Sequence, residues 1–174
     1  MSQIAVSVVA VAALTFASPA HAQSAAESTS SAFEVTPFVS LGSNASSGVG
    51  AAVRWPLGSR ISFEVDTGLR LAEMNALNVN AGLLYDLPRL GRVTPYVAGG
   101  IGLEQYGWAT YVPGYGTLVQ SGTAFTVNAG GGARVPIDEN WGFRGDARWS
   151  NGIGRTAPER WRIYNGVTFG RPQN

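Results

Sequence analysis

The strongest constraint in this chain is an alternation of period two that recurs in segments of about ten residues. Successive side chains on a β-strand point to opposite faces of the sheet. In segment 60–71, Ile61, Phe63, Val65, Thr67, Leu69 and Leu71 share one face, and Arg60, Ser62, Glu64, Asp66, Gly68 and Arg70 share the other. Segment 76–87 sets Leu77, Val79, Ala81, Leu83, Tyr85 and Leu87 against Asn78, Asn80, Gly82, Leu84 and Asp86. Segment 141–150 sets Trp141, Phe143, Gly145, Ala147 and Trp149 against Gly142, Arg144, Asp146, Arg148 and Ser150. Segment 160–170 repeats the pattern, with Asn165 as the poor fit on its apolar face.

From Phe33 onward the pattern predicts eight strands, at about 33–42, 48–56, 60–71, 76–87, 92–106, 121–137, 141–150 and 160–170. Tight connections at 56–59, 88–91 and 138–140 alternate with looser ones at 43–47, 72–75, 107–120 and 151–159. Short turns at one end and longer loops at the other are the signature of an all-β, eight-stranded, antiparallel up-and-down transmembrane β-barrel. An even strand number returns both termini to the turn end.

The apolar face is too bulky to be the inside. Eight strands enclose a lumen just wide enough for side chains, and the apolar set includes Trp55, Trp141, Trp149 and Trp161. The opposite face is rich in Gly, Ser, Thr and Asn, which suit a crowded interior. The aromatics sit at strand ends. Trp55, Tyr85 and Trp141 adjoin tight turns, and Trp149 and Trp161 adjoin loops. Two such belts are expected where a barrel crosses both membrane interfaces.

The remaining segments are read by composition. Ile4 to Phe16 is almost unbroken apolar sequence, followed by Ala20-His21-Ala22. This reads as a cleavable export signal over residues 1–22, although its start lacks Lys and Arg. Residues 23–32 are small and polar and read as a flexible leader. The barrel is expected over 33–171, with a tail at 172–174. There is no cysteine, and the single histidine is His21. Thiol chemistry, and histidine chemistry after cleavage, are thereby excluded. A net charge of +1 gives no case for nucleic acid as a partner.

The inward face is ionic. Glu64 and Asp66 lie two residues apart, and Arg144, Asp146 and Arg148 stand on a strand roughly opposite. Arg134 and Arg162 flank the second group, and Arg54 flanks the first. An unpaired buried charge is costly and a paired one is tolerated, so these eight residues are expected to form one salt-bridged network that plugs the lumen. The alternative for Glu64 and Asp66 is a catalytic carboxylate pair or a cation site, at a spacing of about 7 Å. The excess of arginine and the lack of an evident access route favour the network. Gly99-Gly100-Ile101-Gly102 and Gly130-Gly131-Gly132 are followed by no helix, so they read as close packing rather than a phosphate loop. Tyr106, Trp108, Tyr111 and Tyr115 surround a Pro113-Gly114 turn signal. They predict a β-hairpin continuing the fifth and sixth strands, with a candidate contact surface at 107–120.

Several stretches resemble a known group. They are Val35-Thr36-Pro37-Phe38-Val39, Thr94 through Gly102, Asn128 through Arg134, and Trp141 through Arg148. Together with the closing Val167-Thr168-Phe169, they resemble the outer-membrane β-barrel domain family of OmpA-type domains, OmpX-like proteins and opacity-type porin-family proteins. The resemblance covers nearly all of 33–171. It implies residence in the cell outer membrane, contact with its lipids and lipopolysaccharide, and recognition by the assembly machinery. It implies no cofactor and no attached peptidoglycan-binding domain. Family members usually end on the aromatic residue, whereas Gly170-Arg171-Pro172-Gln173-Asn174 follow here. Three roles are open: a structural or surface-interaction barrel, a narrow passive channel, and a lipid-modifying enzyme. The small-barrel enzymes of this kind rely on a histidine near a serine, which a chain cleaved after Ala22 lacks.

Overall fold

The structure, a computed structural model, describes residues 33–43, 46–71, 76–112, 116–153 and 160–170. The expected signal (1–22), leader (23–32) and tail (172–174) lie outside the described residues, as do Tyr115 and the side chains of Trp108 and Tyr111.

Eight strands follow in order: β1 (Glu34–Gly42), β2 (Ser47–Pro56), β3 (Ile61–Leu71), β4 (Ala76–Asp86), β5 (Thr94–Val112), β6 (Gly116–Pro136), β7 (Trp141–Ile153) and β8 (Arg160–Phe169). Each pairs antiparallel with its neighbour in sequence, and β1 pairs with β8, which closes the barrel. Closure leaves no free sheet edge along the wall, so backbone donors and acceptors are satisfied without water. Two of the tight turns share one pattern. Leu57 and Gly58 both donate to the Ile61 carbonyl, and Ile137 and Asp138 both donate to that of Trp141. At the third, Gly91 has a φ of 64°, a left-handed conformation that glycine adopts without strain.

The two faces separate as the alternation requires. Leu41 and Ile101, each 68% exposed, and Trp161, 57% exposed, point outward with Val39, Phe125, Phe143 and Ile153. In water such a surface would far exceed the apolar patches of soluble monomers. In hydrocarbon it is the matching surface. Trp141 and Trp149 mark its height on β7. Eight residues span about 27 Å along a strand, which a tilt near 40° shortens to about 20 Å, close to the apolar band of outer-membrane barrels. Asn165 is the exception on this wall: it is exposed and lies across Gly145.

Inside, glycine makes room for aromatic rings. A Cβ on Gly50 would lie 2.5 Å from the Phe38 ring, and one on Gly132 would lie 2.6 Å from the Tyr96 hydroxyl. These glycines thus let a ring on the paired neighbouring strand lie over them.

β5 and β6 outrun their neighbours. The last β4 partner of β5 is Tyr106, and the first β7 partner of β6 is Phe125. Beyond these points β5 and β6 pair with each other as far as Val112↔Gly116. The hairpin predicted from the aromatic run is therefore continuous strand, and it extends past Tyr106 by about 20 Å along the strand.

Candidate functional site

Ion pairs fill the lumen in three layers stacked along the barrel axis. All strand registers place the participating residues on inward positions.

The middle layer joins β3, β7 and β8. Arg144 forms a fork with Glu64, donating from Nη1 to Oε2 and from Nη2 to Oε1, the latter at 3.1 Å. Its Nε donates to the Tyr96 hydroxyl at 2.8 Å, which in turn donates to Asp146 Oδ2 at 2.7 Å. Arg148 reaches three carboxylates: Asp146 from Nε at 3.0 Å, Asp66 from Nη1 at 3.1 Å and Glu64 from Nη2 at 2.6 Å. Arg162 donates to Asp66 Oδ1 at 3.0 Å, and Asn80 donates to the same oxygen at 2.9 Å. Three guanidinium groups thus meet three carboxylates. The side chains of Glu64, Asp66, Asp146 and Arg144 are at most 1% exposed. Charges so deep are tolerable because almost every lone pair and N–H in the fork is used.

Aromatic rings pack this layer. The Tyr164 ring stacks on Phe38 at 4.4 Å between centroids. The guanidinium carbons of Arg144, Arg148 and Arg162 lie 5.4, 5.9 and 5.2 Å from the Tyr164 centroid, within cation–π range. The Tyr164 hydroxyl is buried and makes no hydrogen bond.

The turn-side layer is separate. Arg54 donates to Glu34 and to Asp86, each at 2.9 Å. Arg134 contacts Glu34 at 3.3 Å and Asp86 at 2.5 Å. These four line a cavity of about 390 Å³ at the turn end. The loop-side layer is smaller. Arg70, at 3.3 Å, and Arg160 both engage the one Oε1 of Glu104.

The expected single network is therefore corrected. Glu64, Asp66, Arg144, Asp146, Arg148 and Arg162 come together, whereas Arg54 and Arg134 belong to another layer with carboxylates not foreseen as partners. The register explains the division. Arg134 stands directly opposite Arg144. Like charges facing each other across a ladder repel. Arg134 turns toward the turn end while Arg144 turns to the centre, with Tyr96 within 5.6 and 5.0 Å of them respectively. Sequence reasoning missed Glu34, Asp86, Glu104, Arg70, Arg160, Tyr96 and Tyr164 as members of these layers. Their inward parity was the available signal.

The aromatic positions divide between the two ends of the outer wall. Trp55 stacks on Phe63 at 5.9 Å, Tyr85 pairs across the ladder with Ile61, and Trp141 meets Phe143 edge-on at 5.7 Å, all near the turns. Trp149 and Trp161 are direct cross-strand partners near the loops. Tyr106 points to the lumen side of the hairpin, where a Cβ on Gly122 would lie 2.9 Å from its ring. The backbones of Trp108 and Tyr111 lie on the projecting part of β5. Among the described residues no group of His, Cys, Asp and Glu side chains could hold a metal ion.

No family model and no curated protein matches the sequence. Solved structures do match. The N-terminal β-barrel domain of Pseudomonas aeruginosa OprF aligns with a TM-score of 0.63 at 17% identity, over 80% of this chain and 97% of that one. A major outer membrane protein from Thermus thermophilus aligns with a TM-score of 0.59 at 13% identity, over 80% and 98%. The outer membrane enzyme PagL aligns with a TM-score of 0.50 at 12% identity, over 80% and 99%. Identities this low speak for the fold alone, and the fold is shared by an enzyme, so it assigns no activity by itself. The chain is an eight-stranded transmembrane β-barrel of the outer-membrane type.

Proposed function

We propose that this protein is a small outer-membrane barrel with a structural or surface-interaction role, its lumen plugged by the arginine–carboxylate layers. The observation that carries this reading is the middle layer, whose charged side chains, Arg162 excepted, are almost wholly excluded from water and span from β3 to β7. A continuous water path would have to displace the Glu64–Arg144 fork. Lipids and lipopolysaccharide are the contacts of the apolar wall. The assembly machinery is the partner during insertion. The projecting β5–β6 hairpin, with Tyr106, Trp108, Tyr111 and Tyr115 in its sequence, is the candidate surface for an external partner.

The competing reading is a narrow passive channel. Cavities of about 390 and 70 Å³ lie toward the turn end and the loop end of the lumen, with the middle layer between them. Planar-bilayer recording of the purified barrel separates the two. The plugged reading expects no unitary conductance steps at neutral pH, and reproducible steps would replace it with the channel. A lipid-modifying activity is less favoured, because the described residues include no histidine to activate a serine hydroxyl.

A further inference from the structure

The three layers differ in charge balance. Arg54 and Arg134 face Glu34 and Asp86, and Arg144, Arg148 and Arg162 face Glu64, Asp66 and Asp146. Each guanidinium in these two layers has a carboxylate to match. At the loop side, Arg70 and Arg160 share Glu104, and both bear on the same oxygen. Among the described residues the three layers together therefore carry one positive charge in excess, and that charge sits at the loop-side mouth.

The donors there are also undersupplied. A guanidinium carries five N–H donors in a rigid fork. The Arg70 Nε is buried and has no acceptor. Around it lies a cavity of about 70 Å³ whose lining includes Arg70, Arg160, Arg162, Ser40, Asn78 and Ser150. Liquid water occupies about 30 Å³ per molecule, so this space holds two waters or one compact four-oxygen ion. The Arg70, Arg160 and Arg162 side chains remain about a fifth exposed, so the site communicates with solvent.

We propose that the loop-side mouth binds a single tetrahedral oxyanion, phosphate or sulfate, between Arg70 and Arg160. The anion supplies the missing negative charge and accepts from the unused N–H groups, while the serine hydroxyls and the Asn78 amide complete its shell. Forked guanidinium groups suit the oxygens of such an ion better than they suit chloride. The same chemistry is offered by the free ion and by a phosphate carried on a sugar. The turn-side cavity is larger and also has unpartnered N–H groups, at Nε of Arg54 and of Arg134, but each of those arginines meets two carboxylates, whereas Arg70 and Arg160 share one. The site is independent of whether the lumen conducts.

The test uses the refolded full chain in phosphate-free detergent. Its thermal unfolding midpoint is followed by heat-modifiable gel migration against sodium phosphate, sulfate, acetate and glucose 6-phosphate, with sodium chloride at matched ionic strength. The proposal expects a saturable rise with phosphate and sulfate and little with acetate. Glucose 6-phosphate acting as well as phosphate identifies a sugar-borne group, and failure of the larger probe identifies the free ion. R70M and R160M should weaken the response by roughly tenfold or more in apparent affinity. E104Q should strengthen it, because it removes the competing carboxylate. That opposite sign separates binding from misfolding. No saturable response in either the native chain or E104Q overturns the proposal, as does an equal response in all three variants.

Discussion

The middle and loop-side layers both pair arginine with carboxylates and reach opposite states. In the middle, Arg144 and Arg148 meet Glu64, Asp66 and Asp146 in forks sealed from water. At the loop side, Arg70 and Arg160 compete for one carboxylate and stay partly wet. The difference shows that an arginine in a barrel lumen is not by itself a plug or a site. Completeness of pairing decides. A saturated layer is rigid and closed, and an unsaturated one retains capacity for a ligand.

The largest effect that tests this contrast comes from removing one arginine from each layer. Arg144→Met removes the fork on Glu64, leaves that buried carboxylate with Arg148 alone and the layer one positive charge short, and should cost about 3–5 kcal/mol of unfolding free energy. Arg70→Met leaves Glu104 with Arg160 and with solvent, and should cost about 1 kcal/mol or less. Urea unfolding in lipid vesicles measures both. Equal losses would erase the distinction between the layers. The double variant Glu64→Gln with Arg144→Met sharpens it further. The two sites share a fork, so the double loss should fall short of the summed single losses by about 0.5–3 kcal/mol.

A smaller effect separates the two buried tyrosines. The Tyr96 hydroxyl bridges Arg144 and Asp146. Tyr96→Phe removes an acceptor from one and a donor from the other, and should cost about 1–3 kcal/mol. Tyr164 contributes its ring to three guanidinium groups, but its hydroxyl has no partner. Tyr164→Phe keeps the ring and should change stability by less than about 0.5 kcal/mol, or raise it. A large loss at Tyr164 would mean that the ring alone does not account for its place in the middle layer.

The faces were legible in the sequence because side-chain parity is a local property. Glu64, Asp66, Arg144, Asp146 and Arg148 could be assigned to the lumen from their own strands. Their height could not, since it depends on the register of every pairing between strands and on barrel tilt. Glu64 and Arg144 are 80 residues apart and meet only because four successive registers bring them level. The same limit hid the partners of Arg54. It stands in register with both Glu34 on β1 and Glu64 on β3, yet it pairs with Glu34 and with Asp86 on β4 rather than with Glu64. Tyr96 and Tyr164 were missed for another reason. Their inward parity was readable, but an aromatic on an otherwise polar face gives no sign of whether it packs against charge or faces outward water.

The contrast between satisfied and unsatisfied polar groups extends to the outer wall, where the smallest effect is expected. Asn80 in the lumen donates to Asp66 at 2.9 Å and accepts from Asn128 at 3.4 Å. Asn165 faces outward, opposite Val39 and Gly145, in a wall of apolar side chains. Its amide is a polar group that lipid cannot satisfy. Asn165→Leu should raise stability by about 0.5–2 kcal/mol, the scale of transferring an amide out of a partly compensating apolar medium. Asn80→Leu should lower stability despite the same change in side chain, because it strips Asp66 of a donor. Paired urea titrations in vesicles read the two signs. If Asn165→Leu instead destabilises the barrel, the outer wall at β8 is in contact with something that hydrogen-bonds, and a protein neighbour rather than lipid covers that stretch of the wall.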